Sequence, residues 1–418
     1  MNENKSQMTP IATDAPFLMN ALSHPAYGLG KDLVRAVAAV RWFWVPFLAF
    51  VITRLAIIGV AYLALPFIQD ASDTVYHLRG TDNFFVDAFG SRWDTGFYVS
   101  IAEEGYIADG VRFPNVPFFP LLPLMMRALT PLVGDTVVAG LLITNLALLG
   151  ATILLHVWVK DEWGEAIASR AVWYFLIFPA AFFGTALYSE SLFLLCALGA
   201  VVLARRGYWE SAALLGFAAA LSRLMGVSVA ILLALEWWQQ WRQAGSQVKW
   251  WGIAAAAAPV LGLTSYLAYL FLAFDDPFIF ARASAEAWGR TPQSPFTTIA
   301  VLFQTPAQGW NQALLAGQLP LNDYIDMGFV LLFLGLATLL LYRGRWGEGL
   351  FVLAGVIVPF SSGLLMSQRR YMWILFPVFV LLAQWGEKYP WLDRLITTLS
   401  LIGLALFTAL FANGYWVG

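Results

Sequence analysis

Apolar blocks recur along the chain from residue 43 onward, separated by short charged or Gly/Pro-rich breaks. They cover 43–68, 136–158, 167–187, 188–204, 208–222 and 225–240, then 249–273, 323–342, 347–366, 371–385 and 392–413. A helix needs about 20 apolar residues to cross a hydrocarbon core. The blocks are continuous rather than alternating, which argues against a membrane β-barrel. The pattern therefore predicts an all-α polytopic membrane protein, a bundle of about 11 transmembrane helices. A further apolar block, 116–132, carries Pro117, Pro120, Pro123, Pro131 and Arg127 and reads as a broken helix. Two long polar stretches, 69–115 and 274–322, interrupt the series. No internal repeat is visible, so an inverted-repeat transporter is not signalled.

Composition agrees with that pattern. Of 418 residues, 60% are hydrophobic and 12% charged, against roughly 25% charged in soluble domains. The net charge of −2 offers no basic field, so nucleic acid is not expected as a partner. Cys196 stands alone in an apolar run, and His24, His77 and His156 have no ligand spacing. Neither a disulfide, a metal site nor a cofactor is expected. Trp237, Trp238, Trp250 and Trp251 flank apolar blocks, as in an interfacial belt. Residues 1–42 lack an apolar signal-peptide core and read as a cytoplasmic segment ahead of a single transmembrane domain, 43–418.

Orientation follows from Lys and Arg in short loops. Lys31, Arg35 and Arg41 place the N-terminus in the cytoplasm, and Lys160, Arg170, Arg205, Arg206, Arg242 and Lys249 belong on the same side. So do Arg343, Arg345, Lys388 and Arg394. All can share one side only if 116–132 does not cross, which makes it a re-entrant or juxtamembrane hairpin on the outer face. The loops 69–115 and 274–322 and the turns at 187–191, 222–226 and 367–370 then converge on the extracytoplasmic face.

Candidate chemistry concentrates in those segments. The first loop is acidic, with eight Asp or Glu, including Asp70, Asp87, Asp94, Glu103 and Glu104, against three Arg. Phe97, Tyr98, Ile101, Ala102 and Gly105 follow helical spacing, so a short amphipathic helix is expected along the membrane surface with Asp94 at its start. Asp94 reads equally as an N-cap and as a catalytic carboxylate, and the two roles are compatible. Arg54 lies midway through the first span, where a charge costs roughly 2.5–3.5 kcal/mol. It requires a partner or a wet cavity. Glu190, within Tyr188-Ser189-Glu190-Ser191, is an interfacial cap or a cavity residue. Arg223, in Ser222-Arg223-Leu224-Met225-Gly226, sits at a bend supplied by Gly226. Arg369 and Arg370 stand outside against the topological trend, which points to an anionic ligand such as phosphate, or else to headgroup anchoring. The Asp275-Asp276 pair is a weak metal signal and a common loop edge.

These residues resemble a known family. Arg92-Trp93-Asp94-Thr95-Gly96-Phe97-Tyr98, followed by Ile101-Ala102-Glu103-Glu104-Gly105-Tyr106, is similar to the first-loop motif of PIG-V-type mannosyltransferases. Phe118-Phe119-Pro120-Leu121-Leu122-Pro123-Leu124 resembles the Phe-Phe-Pro run that follows in that family, with Leu122 where Tyr is usual. Tyr188-Ser189-Glu190-Ser191-Leu192-Phe193 and Arg370-Tyr371 match in kind and order, whereas Leu224 and Met225 depart from the usual turn.

The resemblance implies a GT-C glycosyltransferase with juxtamembrane helices in its first outer loop, in a prokaryotic plasma membrane. It would use a polyprenyl-phosphate-linked sugar, with mannose expected, and a glycolipid or glycan hydroxyl as acceptor on the extracytoplasmic side. The lipid phosphate is a leaving group already stable as an anion, so one base suffices, and that role falls to Asp94. Arg223, Arg369 and Arg370 would stabilise the departing phosphate. Arg92, Trp93, Tyr98, Glu103, Tyr188, Glu190 and Arg54 complete the candidate set. Direct displacement would invert the anomeric centre. The alternatives are a GT-C enzyme for another sugar or a protein acceptor, and a transporter or lipid flippase.

Overall fold

The computed structural model describes residues 41–71, 82–108, 113–244, 250–304 and 309–417. Residues 1–40, His77 and Lys249, used above, lie outside the described residues, as do Asp73 and Asp109 of the acidic first loop. Residues 46–418 form one compact unit; residues 1–45 form another, of which 41–45 are described as helical.

Every long element described is a helix. Five helices are long and apolar enough to cross a membrane: Arg41–Ala64, Thr136–Trp163, Trp251–Phe274, Leu321–Tyr342 and Pro390–Ala412. The other six apolar blocks fold as shorter or interrupted helices. Residues 167–187 become Glu165–Ile177 followed, after Pro179, by a 3-10 turn at Ala181–Gly184. The next are Glu190–Arg205, Trp209–Ser222, Val229–Ala244 and Trp346–Phe360. The block at 371–385 splits into Gln368–Trp373 and Pro377–Lys388, with Pro377 opening the second piece. A 16-residue helix such as Glu190–Arg205 rises only about 24 Å, against a hydrocarbon core of about 30 Å. The breaks at Ser189, Arg223, Ser361 and Ser367 line one cavity, a setting in which interrupted backbone is tolerated at membrane depth.

The two ends of the bundle differ in charge. At one end Arg205 reaches Glu162, Glu236 and Glu348, and Arg345 shares Glu162 and Glu348 with it. Arg206 pairs with Asp161 at 2.9 Å and Arg170 with Asp393 at 3.0 Å. Of the basic residues grouped from sequence, Arg205 and Arg345 thus meet around shared carboxylates, with Arg206 beside them on Asp161.

The proline-rich block forms helix Leu121–Val133. Phe118 and Phe119, just before it, line the cavity. Just after it, the first turns of Thr136–Trp163 pack beneath Gly90, where an added Cβ would meet Val137 at 2.6 Å. Arg127 secures the block by donating to Ala102 O at 2.7 Å and Ile101 O at 3.0 Å, the open carbonyl end of helix Thr95–Glu103.

Gly226 is needed for a reason other than the expected bend. It lies in the 3-10 turn Leu224–Ser228, and a Cβ there would sit 2.0 Å from the carbonyl oxygen of Ala219. Backbone cannot give way as a flexible side chain can. Gly226→Ala is expected to cost about 1–3 kcal/mol, read as a lower unfolding midpoint in detergent. An unchanged midpoint would mean that the turn opens freely.

Arg54 shows how a buried cation is kept without a carboxylate. It donates to Ala181 O and Thr185 Oγ1, each at 3.0 Å, and to Leu176 O at 3.2 Å. Those carbonyls end helix Glu165–Ile177 and enter the next turn, so the guanidinium sits at the negative end of a helix dipole. It ties the first span to the bundle and does not line the cavity.

Candidate active site

Asp94 is held by the chain on both sides. Asn83 caps helix Phe84–Gly90 by accepting the N–H groups of Phe85 and Val86 at 3.1 and 3.2 Å. Arg92 pairs with Asp70 at 3.1 Å and Asp87 at 2.8 Å, which fixes the turn after that helix. Trp93 then adopts φ +59°, the left-handed region, and the expected helix begins at Thr95. A large side chain in that conformation is strained, and such strain persists where surrounding contacts impose it. Ser367, which precedes the Gln368–Trp373 helix, has φ +76°. Among the described residues, two of the three non-glycine residues with positive φ therefore flank the two segments that meet here.

Asp94 is the N-terminal flanking residue of helix Thr95–Glu103, yet its side chain makes no cap. Its Oδ2 accepts from Arg370 Nη1 at 2.8 Å instead, across 276 residues of chain. Among the described residues Oδ1 has no partner, and the side chain is 18% exposed in the cavity it lines. Its backbone N–H donates to the Tyr188 hydroxyl at 3.3 Å.

Behind Asp94 lies a second carboxylate. Glu190 opens helix Glu190–Arg205, its side chain is 0% exposed, and it pairs with Arg223 and with Arg370 Nε at 3.3 Å. Two carboxylates and two guanidiniums thus alternate as Asp94–Arg370–Glu190–Arg223. Ser189 joins this chain, accepting from Arg223 Nη1 at 3.3 Å and from the Tyr98 hydroxyl at 2.9 Å. Burial, with the charge of Glu190 added, holds the Tyr98 phenol above its ordinary value, so it remains a donor.

The cavity in front of these groups has a volume of about 1080 Å³. Arg223, Arg290 and Arg370 all contribute to its wall and surround Tyr371, at 5.6, 5.8 and 5.4 Å from the ring centre. Beside Asp94, Trp93 and Trp416 meet edge to face at 5.1 Å, and Arg370 also lies 5.4 Å from Trp416. Leu224, Met225, Ile357 and Val358 give the same cavity an apolar side, of which Ile357 is 42% and Val358 51% exposed.

The residues singled out from sequence therefore separate. Asp94, Trp93, Tyr98, Arg223 and Arg370 line the cavity, and Tyr188 and Glu190 support them from behind. Arg54 and Arg92 act elsewhere, and Glu103 is exposed at the far end of its helix. Arg369 also departs from its expected place on the phosphate. It is 1% exposed, pairs with Asp326 at 2.7 Å, donates to Asn322 Oδ1 at 3.0 Å and lies over Phe407. Successive helical residues point about 100° apart, so of two adjacent arginines only one can face the cavity. Arg369 bolts the short helix to Leu321–Tyr342, and Arg370 is the one turned inward.

Sequence reasoning missed Arg290 and Trp416. Arg290 is a basic residue in a loop assigned to the outer face, the same signal that selected Arg369 and Arg370. Trp416 gave no signal. Asp275 and Asp276 are accounted for locally: Asp275 ends a helix at φ +57°, and Asp276 pairs with Arg282 at 2.5 Å. Among the described residues no three His, Cys, Asp or Glu cluster as metal ligands.

Residues 81–239 match the family model Mannosyltransferase (PIG-V). The matched segment holds Asp94, Tyr98, Glu190 and Arg223; Arg290, Arg370 and Trp416 fall beyond it. No curated protein matches the chain. Among solved structures, the archaeal oligosaccharyltransferase AglB from Archaeoglobus fulgidus, in complex with an inhibitory peptide and a dolichol-phosphate, is similar at TM-score 0.41 and 14% identity. The alignment covers 91% of this chain and 57% of that one, so the chain spans a little over half its length.

Proposed function

We propose, on the match of residues 81–239 to the mannosyltransferase family model, that the chain is a glycosyltransferase that transfers a hexosyl group, mannose, from a polyprenyl-phosphate donor to a hydroxyl of a glycolipid or glycan. The reading includes a GT-C-type architecture and a cavity that opens on the extracytoplasmic face of a prokaryotic plasma membrane. The observation that carries it is one cavity with a carboxylate, three guanidiniums and an apolar side.

Asp94 is the base. It lines the cavity with Oδ1 unpartnered among the described residues, and its other oxygen is fixed by Arg370. It takes the acceptor proton as the acceptor oxygen attacks the anomeric carbon. The C1–O bond to phosphate breaks in the same displacement. Arg223, Arg290 and Arg370 take up the charge gathering on the departing phosphate, a planar, bidentate task suited to guanidinium. Glu190, the other carboxylate, is sealed beneath Arg223 and Arg370, so among the described residues no second carboxylate stands ready as a nucleophile. A single displacement with inversion follows, unlike the paired-carboxylate chemistry of retaining glycosidases. Leu224, Met225, Ile357 and Val358 accommodate the isoprenyl chain where it leaves toward lipid.

The test supplies purified protein with labelled mannosyl-phosphoryl-polyprenol or labelled GDP-mannose, plus an envelope lipid extract. Label moving from the lipid donor alone supports the reading. Transfer from the nucleotide sugar alone overturns it.

Arg290 offers a finer check on the donor site. Its protein partners are Ser362 Oγ at 3.3 Å and the face of Tyr371, with no carboxylate among the described residues. Arg290→Gln should leave the unfolding midpoint unchanged and raise the donor KM about tenfold or more, the worth of a charged hydrogen bond. An unchanged donor KM would remove Arg290 from the phosphate site.

A further inference from the structure

Helix Trp346–Phe360 touches the large cavity through Ile357 and Pro359, and its other end opens on a second one. Fifteen residues separate the two ends, or about 22 Å. The second cavity, of about 220 Å³, lies among the gathered basic residues, between the ends of Thr136–Trp163, Leu321–Tyr342 and Trp346–Phe360 and the flank of Pro377–Lys388. Nothing in the transfer reaction uses it.

Two of its wall residues have unmet needs. Trp158 is 3% exposed, and its buried Nε1–H has no acceptor. The ring is immobilised by edge contacts with Trp163 and Phe376 and by Arg205, 5.1 Å from its centre. A buried donor without an acceptor is rare in a native structure and points to a group that supplies one. Arg343 is the second. It donates to Gln384 Oε1 at 3.1 Å, and no carboxylate pairs with it among the described residues. Arg345, the other cation of the wall, is already engaged by Glu162 and Glu348. Arg343, Arg345 and Glu348 leave the lining with one net positive charge.

The missing group therefore carries negative charge and acceptor oxygens. The volume falls below the roughly 300–1,000 Å³ of whole-ligand sites, so it takes a headgroup rather than a complete small molecule. Leu340, Pro377, Val380 and Leu381 continue the wall in apolar side chains, which suits a group attached to lipid. Basic pockets between membrane helices bind anionic headgroups in this way. We propose that this cavity holds the phosphate group of an anionic phospholipid of that leaflet, between the Arg343 guanidinium and the Trp158 Nε1–H.

The test melts the purified full chain in detergent with short-chain phosphatidylglycerol, phosphatidylcholine or inorganic phosphate, for wild type, Arg343→Gln and Trp158→Phe. Arg343 is exposed, so Arg343→Gln should melt near wild type without lipid; Trp158→Phe trims a buried ring, so each protein's shift is read from its own lipid-free midpoint. Phosphatidylglycerol should raise the wild-type midpoint most, and each variant should need about tenfold more of it for the same shift. Native mass spectrometry of phosphatidylglycerol bound to wild type and Trp158→Phe gives the same comparison without melting. Equal shifts in all three proteins would overturn the site. Equal stabilisation by inorganic phosphate would overturn the lipid assignment, and equal stabilisation by phosphatidylcholine the requirement for an anionic lipid.

Discussion

Asp94→Asn should lower transfer by about 10²–10⁴-fold, the range lost with a general base, while the protein still folds and inserts. The substitution keeps the side chain's shape and an oxygen that Arg370 can reach, but it removes the proton acceptor. It also removes one of two carboxylates that neutralise Arg370. The other, Glu190, remains at 3.3 Å, so the guanidinium is not stranded. The measurement is kcat with the labelled lipid donor, alongside an unfolding midpoint. A normal midpoint with lost kcat and unchanged donor KM assigns Asp94 to the chemical step. Retained kcat would remove Asp94 from the role of base.

Arg370→Gln should be damaging in two separable ways. Arg370 is 6% exposed and bridges Asp94 and Glu190, which no other single side chain among the described residues does. Without it, the fully buried Glu190 keeps only Arg223, and Asp94 loses the partner that orients it. Removing one member of a buried ion pair costs about 3–5 kcal/mol. A clear drop in midpoint is expected, together with loss of transfer. Arg369→Gln is the informative control. It also breaks a buried pair, with Asp326, but its guanidinium lies outside the cavity. It should lower the midpoint comparably while any folded fraction transfers at a near-normal rate. Equal rate losses per folded molecule in the two variants would show that Arg370 acts through the fold alone.

Much of the site was legible in the sequence because it is built from local features. Asp94 follows a short loop helix and precedes another, and Ser189-Glu190 and Ser222-Arg223 interrupt apolar runs, so a polar residue at each break is visible without a structure. Arg54 was equally visible as an expensive charge. Its solution was not, because the carbonyls it caps belong to a helix end more than 120 residues away. Arg369 and Arg370 were indistinguishable as adjacent basic residues in one turn. Only the direction of a six-residue helix sends one to Asp326 and the other to Asp94.

The sequence by itself determined the helical, membrane-embedded character and the grouping of Arg205, Arg206 and Arg345. Both rest on hydropathy and charge counted along short windows, and the lipid environment enforces them wherever a segment lies. The first-loop motif, with its aspartate, was likewise contained in contiguous residues. Tertiary structure decided which long blocks break short of a full span, which arginines meet around Tyr371, and that Trp416, near the other end of the chain, stands beside Trp93. Those outcomes depend on packing between helices separated by hundreds of residues, where the rotation of each helix selects the side chains that face the cavity.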